Sequence, residues 1–107
     1  MKSSLGHFEE LVLLTICILG DGAYGVSIKK ELEGRLGKKT SVGAMQSALR
    51  RMEDKGFLLS RVGAATPERG GRKKKYFSAT QHGINVLKTV QELRTQMWSA
   101  MPSTQGS

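Results

Sequence analysis

The chain has 107 residues, 38% of them hydrophobic and 24% charged, with one cysteine and 17 Lys+Arg against 9 Asp+Glu for a formal net charge of +8. That length holds one modest core and is too short for most enzyme scaffolds, one cysteine excludes an internal disulfide framework, and the basic bias points to a polyanion or a membrane surface. The longest apolar run, Leu11 to Leu19, follows Glu9-Glu10 and is too short to span a bilayer or to pass as a signal-peptide core, so no membrane insertion is expected, and the single cysteine fits a reducing cytoplasm.

The first helix is expected from about Gly6 to Leu19, where Phe8, Leu11, Val12, Leu14, Thr15 and Ile18 recur at three- and four-residue intervals. Leu13, Ile16, Cys17 and Leu19 make the remainder apolar as well, which predicts burial on more than one side, in a core or a dimer interface. Cys17 therefore reads as an inert buried thiol. Gly20-Asp21-Gly22 is a turn signal. A second helix spans about Tyr24 to Leu36 with Val26, Ile28, Leu32 and Leu36 inward, stopped by Gly37. Lys38-Lys39-Thr40 leads to a third helix that opens at Ser41, a good N-cap, and ends before Gly56. Its core stripe is Met45, Leu49 and Met52, which leaves Gly43, Gln46, Ser47 and Arg50 on another face.

From Phe57 the period shortens to about two, and Phe57 to Val62 and Lys74 to Ser78 read as two short strands. The connector between them, with Pro67, Arg69, Gly70, Gly71 and Arg72, reads as a flexible basic tip. Thr80 caps a last helix from about Gln81 to Met97 or slightly beyond. Val86, Val90, Leu93 and Met97 follow the spacing of a coiled-coil seam, flanked by Ile84, Leu87 and Trp98, and such a seam wants a partner. Pro102 to Ser107 read as a frayed polar tail.

The charge is not dispersed. Residues 38 to 75 hold eleven Lys/Arg against three acids, a net +8 that equals the excess of the whole chain, while both flanks are nearly neutral. The polyanion is expected to meet that middle stretch. Three helices followed by a hairpin with a basic tip is the order of a winged helix-turn-helix, in which the third helix enters the major groove and the wing touches backbone or minor groove. Gly43 and Ala44 permit close approach of backbone to DNA. Gln46 and Ser47 can hydrogen-bond base edges, Arg50 can reach phosphate or guanine, and Arg69, Arg72, Lys73, Lys74 and Lys75 supply phosphate contacts. On pattern alone the third helix reads equally well as the solvent face of an ordinary helical domain.

The segments Leu5-Gly-x-Phe-Glu-Glu-Leu-Val-Leu-Leu, Asp21-Gly-Ala-Tyr-Gly-Val, Thr40-Ser-Val-Gly-Ala-Met and Arg51-Met-Glu-Asp-Lys-Gly carry a further signal. So do Thr66-Pro-Glu-Arg-Gly-Gly-Arg-Lys-Lys-Lys-Tyr-Phe and Thr80-x-x-Gly. In order and spacing they resemble the PadR-like transcriptional regulators, over residues 5 to about 97. The resemblance implies a dimeric winged-helix repressor whose C-terminal helix is the principal dimerisation element, with the N-terminal helix packed against it. The short final helix resembles the compact members of that family. One position departs: the family commonly has an aromatic after the Gly-Ala-Leu element of the recognition helix, and here it is Gln46. Operator preference at that point is therefore not copied from the family.

The expected architecture is mainly α with a β-hairpin wing, a winged helix-turn-helix plus a C-terminal dimerisation helix. Residues 1–79 form the DNA-binding region, with the recognition helix at about 41–55 and the wing at about 57–79, and residues 80–101 form the dimerisation helix. DNA-binding residues are expected at Lys38, Lys39, Ser41, Gly43, Ala44, Gln46, Ser47, Arg50, Arg69, Gly70, Gly71, Arg72, Lys73, Lys74 and Lys75. The dimer interface is expected at Leu11, Val86, Leu87, Val90, Leu93, Met97 and Trp98. The partners expected are a pseudo-palindromic duplex operator, a second copy of the chain and a small-molecule effector that no residue names.

No catalytic residue, cofactor or metal site is expected. Gly34-Arg-Leu-Gly-Lys-Lys-Thr lacks phosphate-loop spacing and follows a helix rather than a strand, and His7 and His82 stand without carboxylate or cysteine at ligand spacing. Trp98 and the methionines could line an effector pocket, but core packing is their commoner role. Two other classes stay open: an RNA- or ribosome-associated basic protein, disfavoured by only 6% aromatics, and a small-molecule-binding interaction module.

Overall fold

The computed structural model describes residues 5–63 and 73–103. Helix α1 (His7–Leu19) runs into a 3-10 turn (Gly20–Gly22) and is followed by α2 (Gly25–Leu36) and α3 (Val42–Asp54). Strands β1 (Leu58–Val62) and β2 (Lys75–Ala79) pair antiparallel, with Leu58 opposite Ala79 and Val62 opposite Lys75, and α4 (Gln81–Ala100) closes the order. A single bridge between Tyr24 and Tyr76, with the Phe77 amide donating to the Ala23 carbonyl at 2.8 Å, lays the segment before α2 along β2. Three helices, a hairpin and this strand-like edge make a winged helix, mainly α with a two-stranded wing.

The core lies between α1, α2, α3 and the inner face of the hairpin: Val12, Leu13, Ile16, Ile28, Leu32, Met45, Ala48, Leu49, Met52, Phe57, Leu58 and Phe77. The expected stripe of α3, Met45-Leu49-Met52, is buried, joined by Ala48. α1 is turned about its axis from the expected orientation. Its buried side runs through Glu9, Glu10, Val12, Leu13, Thr15 and Ile16, whereas Leu14 and Ile18 are exposed. The cause is ion pairing: Glu9 and Glu10 are accepted inside because Arg51, Lys55 and Arg94 meet them. Thr15 is accepted because its hydroxyl donates to the Leu11 carbonyl at 2.8 Å.

Three further expectations are corrected. Val26 does not point inward but is 60% exposed, because it follows the first residue of α2 on the flank beside α3 and the wing. Cys17 lies on the exposed side of α1, although partial burial pushes its thiol up from the ordinary value. Trp98 is no core residue: it sits on the exposed last turns of α4 at 74% exposure.

Local chemistry sets the joints. Gly37 ends α2 in the left-handed region at φ 73° and donates to the Glu33 carbonyl. Ser41 caps α3 by accepting from the Ala44 amide at 2.8 Å, and Thr80 caps α4 by accepting from the Gly83 amide at 3.0 Å. The Thr80 hydroxyl also donates to the Gly56 carbonyl at 2.6 Å, tying the start of α4 to the turn after α3.

Candidate nucleic-acid interface

The turn between α2 and α3 is fixed by one carboxylate. Glu33 accepts from Lys29 Nζ at 2.6 Å, from the Thr40 amide at 2.7 Å and from the Thr40 hydroxyl at 3.2 Å. Those donors hold its carboxyl at about 2, well below the ordinary 4.5. The turn so fixed carries Lys38 and Lys39, both exposed, and delivers the chain to the Ser41 cap.

On α3 the side opposite the core stripe presents Gly43 and Arg50, both exposed, and Ser47, half-buried. Gln46 is exposed on the flank that meets α2 and the wing, where a Cβ on Gly25 would stand 3.8 Å from its side-chain nitrogen. Ala44 is exposed but turned to the other flank, beside Lys38, His7 and Phe8. Arg51 and Lys55 are engaged by a carboxylate of the chain itself, donating to Glu9 at 2.7 and 3.2 Å. Gly43, Gln46, Ser47 and Arg50 are thus brought onto one accessible surface, and Ala44 is set apart from it.

The wing contributes cations of two kinds. Lys73 is exposed without an ion pair to another described residue, as are Lys38, Lys39 and Arg50. Lys74 lies 4.2 Å over the Tyr24 ring, and Lys75 is 3.7 Å from Glu53 and 5.6 Å over the Phe77 ring. The ring of Tyr24 in turn meets Tyr76 edge-on at 5.6 Å, and Arg61 stacks 4.7 Å over Tyr76. Arg69, Gly70, Gly71 and Arg72 lie outside the described residues.

Of the expected interface of α4, Val86 and Leu87 pack partly against the chain's own core, as does Leu11 on α1. Val90 is half-buried, and Leu93 and Met97 are exposed at 55% and 63%. His7 and His82 are surface residues, the latter with its ring 5.1 Å from Phe57. Among the described residues no group of three His, Cys, Asp or Glu side chains could hold a metal ion, and no helix is long and apolar enough to cross a membrane.

The sequence reading missed several residues of this surface. Tyr24, Val26, Lys29 and Val42 join Gln46, Lys74 and Lys75 around one cleft of about 250 Å³. The signal available was Val42 itself, an apolar residue off the core stripe at the start of a basic segment.

A helix presented beside a basic hairpin on a three-helix body defines a winged-helix DNA-binding regulator. The family model of the transcriptional regulator PadR-like family matches residues 14–98, and the chain belongs to that family. It is therefore a transcriptional regulator acting through DNA binding, in a family that is generally non-enzymatic.

Solved structures agree in fold. A PadR family transcriptional regulator of Eggerthella lenta is 26% identical with TM-score 0.67, over 83% of this chain and 75% of its own. A transcriptional regulator of Clostridium thermocellum is 23% identical with TM-score 0.69, over 86% and 84%. A PadR-like transcriptional regulator of Bacillus cereus is 21% identical with TM-score 0.70, over the same two shares, 86% and 84%. No curated protein matches the chain in sequence.

Proposed function

We propose that the protein is a homodimeric, sequence-specific repressor that binds a pseudo-palindromic operator and is released by a small-molecule effector. The observation that carries this reading is the accessible surface of α3. Gly43 admits the backbone, Gln46 and Ser47 offer hydrogen bonds to base edges, and Arg50 with Lys38, Lys39 and Lys73 brackets them with exposed cations that make no ion pair among the described residues. That division of labour, short polar groups in the middle and cations at the rim, is what a helix lying in a major groove needs. Spread cations and stacking aromatics, which RNA binding would favour, are not the pattern of this face.

The exposed apolar row of α4 supplies the reason for a dimer, and two-fold symmetry would set two recognition helices about 34–36 Å apart on one side of the duplex. The test is binding to duplex DNA as a function of salt. With about three to four cations per subunit on phosphate, the log–log slope of affinity against salt is expected at about −5 to −7. Replacing Arg72, Lys73 and Lys74 by Ala should flatten it while sequence preference persists. A slope unchanged by those substitutions removes the wing from the binding surface.

A further inference from the structure

The first turn of α3 carries a side chain that the fold does not use. Val42 is 62% exposed at the first helical position behind the Ser41 cap. Val26, at 60% exposure, lines the same cleft, with Tyr24 and Gln46 as further walls. A β-branched residue there has no helix-propensity advantage over a straight-chain one, and no part of the core rests on it.

Lys29, Lys74 and Lys75 also line this cleft. Lys29 is paired with Glu33, and Lys75 lies 3.7 Å from Glu53. That leaves Lys74, over the Tyr24 ring, as the lining cation with no carboxylate partner among the described residues and the one to meet a polyanion. Within a duplex, the apolar group offered in the major groove is the C5-methyl of thymine. Gln46 stands one turn further along the same side of α3, and a glutamine amide matches the N6 and N7 edge of adenine.

We propose that Val42 is a specificity-determining residue whose methyl groups pack against the C5-methyl of one thymine in each half-site, next to the base pair met by Gln46. The inference rests on α3 being the DNA-reading helix. A duplex is selected from a randomised pool with the wild-type protein, and each thymine is then replaced in turn by uracil, which removes the methyl and leaves every hydrogen-bonding edge in place.

At one thymine per half-site, uracil is expected to weaken binding about 3- to 5-fold, the size of one buried methyl. Val42→Ala should weaken binding to the thymine duplex by a similar factor and bring the thymine-to-uracil ratio below about twofold, with a melting curve that superimposes on the wild type. A ratio of one at every thymine, or a ratio that survives in Val42→Ala, overturns the inference and leaves the reading helix standing. Recovery of no preferred duplex overturns both.

Discussion

Glu9 is 4% exposed, a carboxylate inside the helical body. Burial alone would push its carboxyl up, but the Gly6 amide at 2.9 Å and the Arg51 and Lys55 side chains outweigh that and hold it below the ordinary value. Its neighbour Glu10 accepts from Arg94 of α4 at 2.7 Å. Two consecutive residues of α1 thus hold the far end of α3 and the middle of α4. Removing one partner of such a pair leaves the other short of a counter-charge, so Glu9→Gln should cost about 1–3 kcal/mol of stability, readable in urea unfolding. An unchanged midpoint would mean that Arg51, half in water, takes solvent as readily as Glu9. Glu33 gives a pH signature. Its folded carboxyl is depressed to about 2 from 4.5, so its contribution to stability is fully present above 4.5 and is lost as pH falls toward 2. The melting temperatures of wild type and Glu33→Gln should therefore differ at neutral pH and converge on acidification through that window. Parallel curves down to pH 2 would detach Glu33 from the turn between α2 and α3.

At the scale of elements, the sequence was most legible where capping and periodicity agree. Ser41 and Thr80 start the helices they were expected to start, and α2 stops at Gly37. The strands sit one residue later at their beginnings than the alternation of side chains suggested, starting at Leu58 and Lys75. The Phe57 amide turns back to the Met52 carbonyl of α3, while the Phe57 carbonyl still accepts from the Thr80 amide and the Lys74 carbonyl from the Gly63 amide, so the end bonds of the ladder reach the expected residues. α1 was harder to read, since nearly every position in it is apolar. Its inward side was decided by two glutamates whose partners lie more than 40 residues away, Arg51 and Arg94, a pairing that no local window contains. The cleft beside Gln46 was legible only through Val42, its other walls being brought together from α2 and β2. The joint between the wing and α4 depends on Gly83, which is buried against the Phe57 carbonyl so closely that an added Cβ would collide with it. Backbone, not a flexible side chain, is in the way. Gly83→Ala should therefore destabilise by about 1–3 kcal/mol despite the better helix propensity of alanine. A variant as stable as wild type, or more so, would show that α4 can shift its first turn freely.

The whole molecule leaves its longest helix half unused. α4 has 20 residues, about 30 Å, and every residue from Gln91 to Ala100 is exposed. Val86, Val90, Leu93 and Met97 recur at four, three and four residues, so they form one narrow stripe that begins against the core and continues past it into water. Met101 at 41% and Trp98 at 74% exposure flank its outer end, and Leu14 and Ile18 add apolar surface on α1. A monomer keeps such surface wet at a cost of about 25 cal/mol for each Å². A second copy packed on the same stripe would cover it twice over, by symmetry. Arg94, held by Glu10 beside the stripe, would then connect that interface to α1 and, through Glu9, to α3. If the proposed dimer uses this stripe, replacing Val90 and Leu93 by Asp should put like charges into the seam, shift sedimentation at micromolar concentration from dimer to monomer, and weaken operator binding far more than contact by a single half-site. Because Val90 is half-buried in its own chain, Met97→Asp at a 63% exposed position separates loss of the dimer from loss of the fold. A monomeric wild type with full operator affinity would defeat the two-fold arrangement, and the half-site spacing derived from it would go with it.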